Sequence, residues 1–399
     1  MKKKVLALIA AALLVLTLVP GCGTTAASGG NAGGGDKGDI LIGGNLELTG
    51  GTAMFGQMAK NAIELAFEQV NNKGGVLGGR KLKLVAADNK SDAGESTAAA
   101  TKLITQDHVV GIIGSMTSSV TLGAIPVATD NKIPMISPSG TNTKLTVDPD
   151  TGKVRPWIFR ACFIDPFQGQ VAAKFVLSGD KFPKAKTAAV IIDQKSDYSK
   201  GLAASFKDAF TKGGGKIVDE EQYVAGQDKD FRPILTKMKA TNPDMVWVPG
   251  YYNEVGLIVK QAREMGITVP FMGGDGWDDA KLFDVGGAQA LNNTYYTDHV
   301  AVDDPAMAQF LKDYKAKYNT EPNAMAALGY DAAMMFVKAI EAAGSAEPAK
   351  IRDALEKFQN YNGVTGNITI DPATHNPVKS AVIKENKDGK TVFLEKVNP

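Results

Sequence analysis

Ile40-Leu41-Ile42-Gly43-Gly44-Asn45-Leu46 is a short, mostly apolar run, and a turn-rich gap separates it from residues 54–72, where Ala59, Ile63, Ala66, Phe67 and Val70 recur at three- and four-residue spacing. The run has the length and composition of a buried β-strand, and the spacing lays one apolar stripe along a helix that needs a sheet to cover it. Lys73-Gly74-Gly75 ends that helix. A strand followed by a helix with one apolar face is the first half of a βαβ unit.

The pattern repeats along the chain. Strands are predicted at residues 81–87, 109–113 and 134–136, with helices at 92–105 and 118–129 between them. A second series of strands follows at 187–192, 217–224, 245–248 and 270–272, each trailed by a helical pattern. The strand runs are apolar almost throughout, as required when helices cover both faces of a sheet. An α/β fold of two doubly wound parallel-sheet lobes is therefore expected. Long helical stretches at 305–318 and 324–343, a shorter one at 348–358, and β-like runs at 367–370, 380–384 and 391–396 complete the chain.

The N-terminus is of another kind. Lys2, Lys3 and Lys4 precede an apolar run from Val5 to Val19, too short and too one-sidedly flanked for a spanning helix and ordered like an export signal. It ends in Leu18-Val19-Pro20-Gly21-Cys22, which resembles the lipobox of bacterial lipoproteins, with Pro20 where that motif usually has a small or β-branched residue. Residues 1–21 are thus expected to be removed, leaving Cys22 as the acylated first residue; the bland reading is an ordinary signal with a chance cysteine. Residues 22–39 are almost all small or polar and read as a flexible tether. Since one acyl chain binds a membrane weakly, stable anchoring needs the two chains that a lipobox implies.

Composition excludes several function classes. The 399 residues carry 44 basic and 43 acidic side chains, scattered rather than blocked, so no basic face for nucleic acid is expected. The two cysteines, Cys22 and Cys162, and the three histidines, His108, His299 and His375, show no metal-ligand or disulfide-framework spacing. The histidines have no evident carboxylate partner at motif spacing, and no nucleophile elbow, zinc-protease helix or phosphate-binding loop is present. Neither enzymatic activity nor a metal or cofactor is expected.

In open parallel sheets, ligands bind outside the carboxyl ends of the strands. There the chain places Gly114-Ser115-Met116-Thr117-Ser118-Ser119 and Ser137-Pro138-Ser139-Gly140-Thr141-Asn142. Both loops offer hydroxyls and backbone N–H groups beside a helix start, a neutral means of gripping a carboxylate. Plain helix N-caps have the same composition, so either loop alone has a purely structural reading.

Lys73-Gly74-Gly75-Val76-Leu77-Gly78-Gly79-Arg80, Ser118-Ser119, Ile136-Ser137-Pro138, Gly274-Asp275-Gly276 and Gly329-Tyr330-Asp331-Ala332 occur in that order. As a set they resemble the branched-chain amino-acid-binding proteins of ABC transporters, from about Ile40 to the C-terminus. The resemblance implies the type I periplasmic-binding-protein fold, with three crossovers near Arg160, Thr297 and Lys379. One lobe would comprise residues 40–160 and 298–379, the other 161–297 and 380–399.

The ligand would lie between the lobes. The resemblance implies that Ser118 and Thr141 donate to an α-carboxylate, that the Ser139 carbonyl and the Thr141 hydroxyl receive the ammonium, and that Asp275 is its counter-charge. Tyr198, Tyr251 and Tyr330 would line the cleft. Phe55 stands where better-known members carry tyrosine, and Asp275 where they carry glutamate, so the ligand's side chain stays open. The implied protein is a monomer that is lipid-anchored outside the cytoplasm, on the outer face of the membrane or in the periplasm, and hands an amino-acid-like ligand to permease subunits. A sensor that reports to a membrane receptor, or a binder of a non-amino-acid carboxylate or amide, is the alternative. Asp275 also has a bland reading as a turn residue, Tyr198 as one packed on its own lobe, and Trp277 as either wall or rim.

Overall fold

The computed structural model describes residues 38–398, so the export segment, most of the tether and the proposed lipidation at Cys22 lie outside the described residues. The opening run forms β1 (Ile40–Leu46), nearly all of it buried, and the stripe after it forms α1 (Ala53–Asn72) with Ala59, Ile63, Ala66 and Phe67 buried. The series continues as β2 (Leu82–Asp88), α2 (Ala93–Thr105), β3 (Gly111–Gly114), α3 (Ser118–Asp130), β4 (Met135–Ser137) and β5 (Ile158–Arg160). These strands pair in parallel in the order β2-β1-β3-β4-β5. Asp92 starts α2 by accepting from the backbone N–H groups of Gly94 and Glu95, as an N-cap should.

After residues 161–164 a second series begins with α4 (Asp165–Ser178), β6 (Thr187–Asp193), α5 (Asp197–Lys212), β7 (Lys216–Tyr223) and α6 (Arg232–Ala240). It continues with β8 (Met245–Trp247), α7 (Tyr252–Glu264), β9 (Phe271–Gly273), α8 (Lys281–Gly286) and β10 (Thr294–Asp298). The chain then returns to the first sheet, where α9 (Ala308–Tyr318), α10 (Ala324–Ala343) and α11 (Pro348–Glu356) precede a ribbon of β11 (Tyr361–Gly363) and β12 (Gly366–Ile368). A third passage delivers β13 (Ala381–Lys387) and β14 (Lys390–Val397) to the second sheet, whose order is β14-β13-β10-β9-β8-β6-β7. Its strands β10 to β7 are parallel, and β13 and β14 close one edge antiparallel. The result is the expected α/β architecture of two wound sheets with three passages between them.

Four elements depart from the sequence expectation. Strands β5, β10 and β11 are short and carry Arg160, Thr294, Thr297, Asp298 and Asn362, so none shows an apolar run. Helix α4 buries Asp165 and Gln168 together with Val171 and Ala172, which erases the polar and apolar alternation that would mark it.

The motif at residues 329–332 has a packing basis. A Cβ at Gly329 would stand 2.9 Å from the Ala59 Cβ, so glycine permits α10 to lie directly on α1. Asp331 accepts from the backbone N–H groups of Val364 and Thr365, each at 2.9 Å, pinning the ribbon to α10. Tyr330 turns outward from the lobe interface: its hydroxyl donates to Gln69 Oε1 at 2.6 Å and its ring packs edge-on against Phe310. The expectation that Tyr330 lines the cleft is therefore corrected, because its place on α10 faces α1 and α9.

Candidate ligand-binding site

In the first sheet the chain runs from β1 outward to β2 and then back to β3 on the other side; in the second it runs from β6 to β7 and back to β8. These reversals are topological switch points, where a crevice opens beyond the strand ends. Phe55, Met116, Thr117, Ser118 and Ser139 follow β1, β3 and β4, while Tyr198, Tyr251, Asp275 and Gly276 follow β6, β8 and β9. Together with Met325 of α10 they line a narrow crevice whose cavity volume is only about 10 Å³. Six of the residues proposed from sequence thus meet at one place.

On the first-sheet side the loops are braced by two buried charges. Glu47, just past β1, accepts from the backbone N–H groups of Met116 at 3.0 Å and Thr117 at 3.0 Å, and from the Thr117 hydroxyl at 2.9 Å. Burial raises its pKa, and those donors oppose the rise. Arg160 gives Nη1 to the Gly140 carbonyl and Nη2 to the Asn142 carbonyl, both at 2.7 Å, which sets the shape of the 137–142 loop. Ser118 Oγ accepts from the Asn142 N–H at 3.2 Å and so keeps its own proton to donate. Ser139 spends its hydroxyl on the Met116 carbonyl at 2.7 Å. Thr141 is fully buried and off the cavity wall, with its hydroxyl beside the Asp165 carboxyl, so the expectation that it contacts the ligand is corrected.

The second-sheet side is aromatic and acidic. Tyr198 stacks on Tyr251 with ring centroids 5.1 Å apart, and Phe55 meets Tyr251 edge-on at 6.1 Å from across the cleft. Burial raises both tyrosine pKa values well above the usual phenol, so both hydroxyls stay neutral. Tyr198 Oη accepts from the Gly276 N–H at 3.1 Å. A Cβ at Gly276 would stand 2.6 Å from the Gly250 carbonyl oxygen, so only glycine fits beneath these rings.

Asp275 itself is 3% exposed. Its Oδ1 accepts from Gln168 Nε2 at 2.8 Å and its Oδ2 lies 3.0 Å from His299 Nε2. His299 lacks a partner at motif spacing, as expected, but finds a carboxylate through the fold: the two are 24 positions apart and meet because β10 lies beside β9. Close by, Asp165 opens α4 with both carboxyl oxygens buried and without a hydrogen bond among the described residues. Burial pushes its pKa up to about 7, with the Thr141 hydroxyl working against the rise and the Asp275 charge adding to it.

Contacts across the cleft join its rims. Asp197 N–H donates to Ser119 Oγ at 2.8 Å, and Asn142 Nδ2 donates to the Asp197 carbonyl at 2.7 Å. Asn253 Nδ2 donates to the Gly51 carbonyl at 2.7 Å, and Asp278 accepts from the Ala324 N–H at 2.8 Å at the start of α10. Trp277 is neither wall nor rim. It is fully buried and gives its indole N–H to the Val248 carbonyl at 3.0 Å.

Hydroxyl and amide donors thus face a carboxylate across a cavity between two wound lobes, an arrangement complementary to a small polar ligand. The family model described as periplasmic binding protein matches residues 39–390. The chain belongs to the periplasmic binding protein family. It is 32% identical over 358 residues to a Leu/Ile/Val-binding protein homolog of Brucella melitensis, covering 90% of this chain and 94% of that one. Among solved structures, a leucine-binding protein LivK of Thermotoga maritima matches with a TM-score of 0.83 at 37% identity, covering 90% of this chain and 99% of the other. The branched-chain amino-acid transporter substrate-binding protein LivJ of Streptococcus pneumoniae, solved with isoleucine, matches with a TM-score of 0.82 at 37% identity, covering 90% and 100%.

Periplasmic binding proteins are a solute-binding class. Among the described residues no cluster of His, Cys, Asp or Glu is arranged for a metal, and no helix is long and apolar enough to cross a membrane. Sequence reasoning misses Glu47, Arg160, Gln168 and His299, as well as the apolar wall residues Met116 and Met325. Only Met116 carried a signal, since it sits inside the loop already singled out; the others act through partners that no local spacing reveals.

Proposed function

We propose that this chain is the extracytoplasmic solute-binding component of an ABC importer and that it captures a branched-chain amino acid. The observation that carries this reading is Asp275, a buried carboxylate on the wall of a cavity that otherwise offers neutral donors and apolar surface. A zwitterion taken out of water needs donors for its carboxylate and a counter-charge for its ammonium. Ser118 Oγ and the backbone N–H groups at the start of α3 serve the carboxylate, while Asp275 and the Ser139 carbonyl serve the ammonium. Phe55, Met116, Tyr251 and Met325 supply apolar walls for a branched side chain, and Tyr198 packs beneath Tyr251. A plain carboxylic acid in the same place would meet Asp275 as a like charge.

Capture proceeds by rotation of residues 40–160 and 298–379 against 161–297 and 380–399 about the three passages, since two bodies joined only there close as a hinge. A thermal-shift screen with leucine, isoleucine, valine and 4-methylpentanoate tests the ligand class. A ligand at about 100 times its Kd stabilises by about 2.7 kcal/mol, so the branched-chain amino acids should raise the melting temperature visibly and 4-methylpentanoate, which lacks the ammonium, should not. The reverse order would discard the amino-acid assignment.

The same reading places the protein at a membrane through Cys22. Wild-type protein should take up a labelled fatty acid and Cys22→Ser should not, moving instead to the soluble fraction. An unlabelled wild type would remove the anchor from the proposal.

A further inference from the structure

Asp275 is held from two directions. Gln168, in the first turn of α4 directly after the first passage, reaches Oδ1 at 2.8 Å, and His299, the first residue of the second passage, reaches Oδ2 at 3.0 Å. Both side chains are buried, and neither lies on the cavity wall. The imidazole is fixed in turn by Phe163 of the first passage, stacked at 3.9 Å between centroids. Gln168 reaches Asp275 past bare backbone, because a Cβ at Gly274 would stand 2.9 Å from Gln168 Nε2 and 2.6 Å from Tyr198 Oη.

A carboxylate offers about four lone-pair sites on its two oxygens, so one donor on each oxygen fixes its plane and leaves acceptor capacity for a third partner. A short acidic side chain gripped in this way presents one orientation to the cavity instead of a range. We infer that His299 and Gln168 are positioning residues that aim the Asp275 carboxylate at the ligand's ammonium and tie it to two of the three passages between the lobes. The inference rests on the reading that Asp275 meets an ammonium. It makes ammonium capture and hinge geometry parts of one hydrogen-bonded unit.

Calorimetry with leucine on the full chain tests this through a cycle of His299→Leu, Asp275→Ala and the double variant, each first shown to be folded by circular dichroism. Loss of a hydrogen bond to a charged group should lower leucine affinity about tenfold or more in His299→Leu, and the double variant should bind little worse than Asp275→Ala alone, because groups acting through one partner are not additive. His299→Gln, which retains an N–H donor, should recover most of the loss. Gln168→Met should show the same dependence on Asp275 and carries the test if His299→Leu does not fold.

Full additivity in the cycle would mean that the two residues only brace the hinge, and wild-type affinity in folded His299→Leu and Gln168→Met would equally overturn the inference. If Asp275→Ala itself binds leucine as wild type does, the ammonium reading fails and the inference falls with it. A weakened Asp275→Ala beside unaffected His299 and Gln168 variants sinks the inference alone.

Discussion

Leucine should bind Asp275→Ala at least about 30-fold more weakly than wild type, because truncating one partner of a buried hydrogen-bonded charge pair costs roughly 2 to 5 kcal/mol. The large figure follows from burial: Asp275 is 3% exposed, so water cannot replace it as the partner of an ammonium in the closed site. Ser118→Ala should lose less, since the backbone N–H groups at the start of α3 remain for the carboxylate. Alanine at position 275 also leaves Gln168 and His299 without their acceptor, which weakens the fold as well as the site. Urea denaturation of the unliganded variant separates the two contributions. Unchanged leucine affinity in a folded Asp275→Ala would place the ammonium elsewhere and remove the present site assignment.

Asp165→Asn should stabilise the protein in a manner that depends on pH. The Asp165 carboxyl rises from its ordinary 3.8 to about 7 on folding, chiefly through burial. Below about pH 4 both folded and unfolded states carry the proton and the group has no effect on stability. As pH rises from there, the unfolded chain releases its proton first, the native state binds more protons than the unfolded one, and stability falls until the native carboxyl also ionises near pH 7. The accumulated cost above that pH is about 4 kcal/mol on the usual conversion of a pKa shift to free energy. Asparagine has no proton to lose, so the stability difference between Asp165→Asn and wild type in urea denaturation should grow between about pH 4 and pH 8 and then level off. A difference that stays constant with pH would show that Asp165 is not held protonated by burial.

Much of the fold was legible because it was local. The apolar runs of β1, β6 and β8 and the stripe on α1 appear as periodicity, since a strand covered on both faces and a helix packed on a sheet each require it. Strands β5 and β10 were not legible: they are short, they carry Arg160 and Asp298, and they become strands because a neighbouring strand offers them hydrogen bonds. The site divides in the same way. Ser118 and Ser139 were found because loops after parallel strands are where ligands bind, whereas Asp275 was reached only through the resemblance that Gly274-Asp275-Gly276 helps to carry.

Tyr330 shows the limit of carrying a role along a motif. Its neighbours Gly329 and Asp331 perform the tasks that shape the segment, one by close approach to Ala59 and the other by holding the ribbon, and these turn the tyrosine toward Gln69. His299 shows the converse. Its imidazole lacks any partner at motif spacing, yet strand order brings it within 3.0 Å of Asp275.

The sequence by itself determined the class of fold, the alternation of strands and helices, the export-like N-terminus and the loops in which ligand contacts should be sought, since each depends on residues close together in the chain. Tertiary structure alone decided which of those loops converge, that Glu47 and Arg160 brace them from within, and that Asp275 is gripped by Gln168 and His299. Those relations join residues as far apart as 107 positions. Their energies come from burial and from hydrogen bonds that exist only once two sheets and the passages between them are in place.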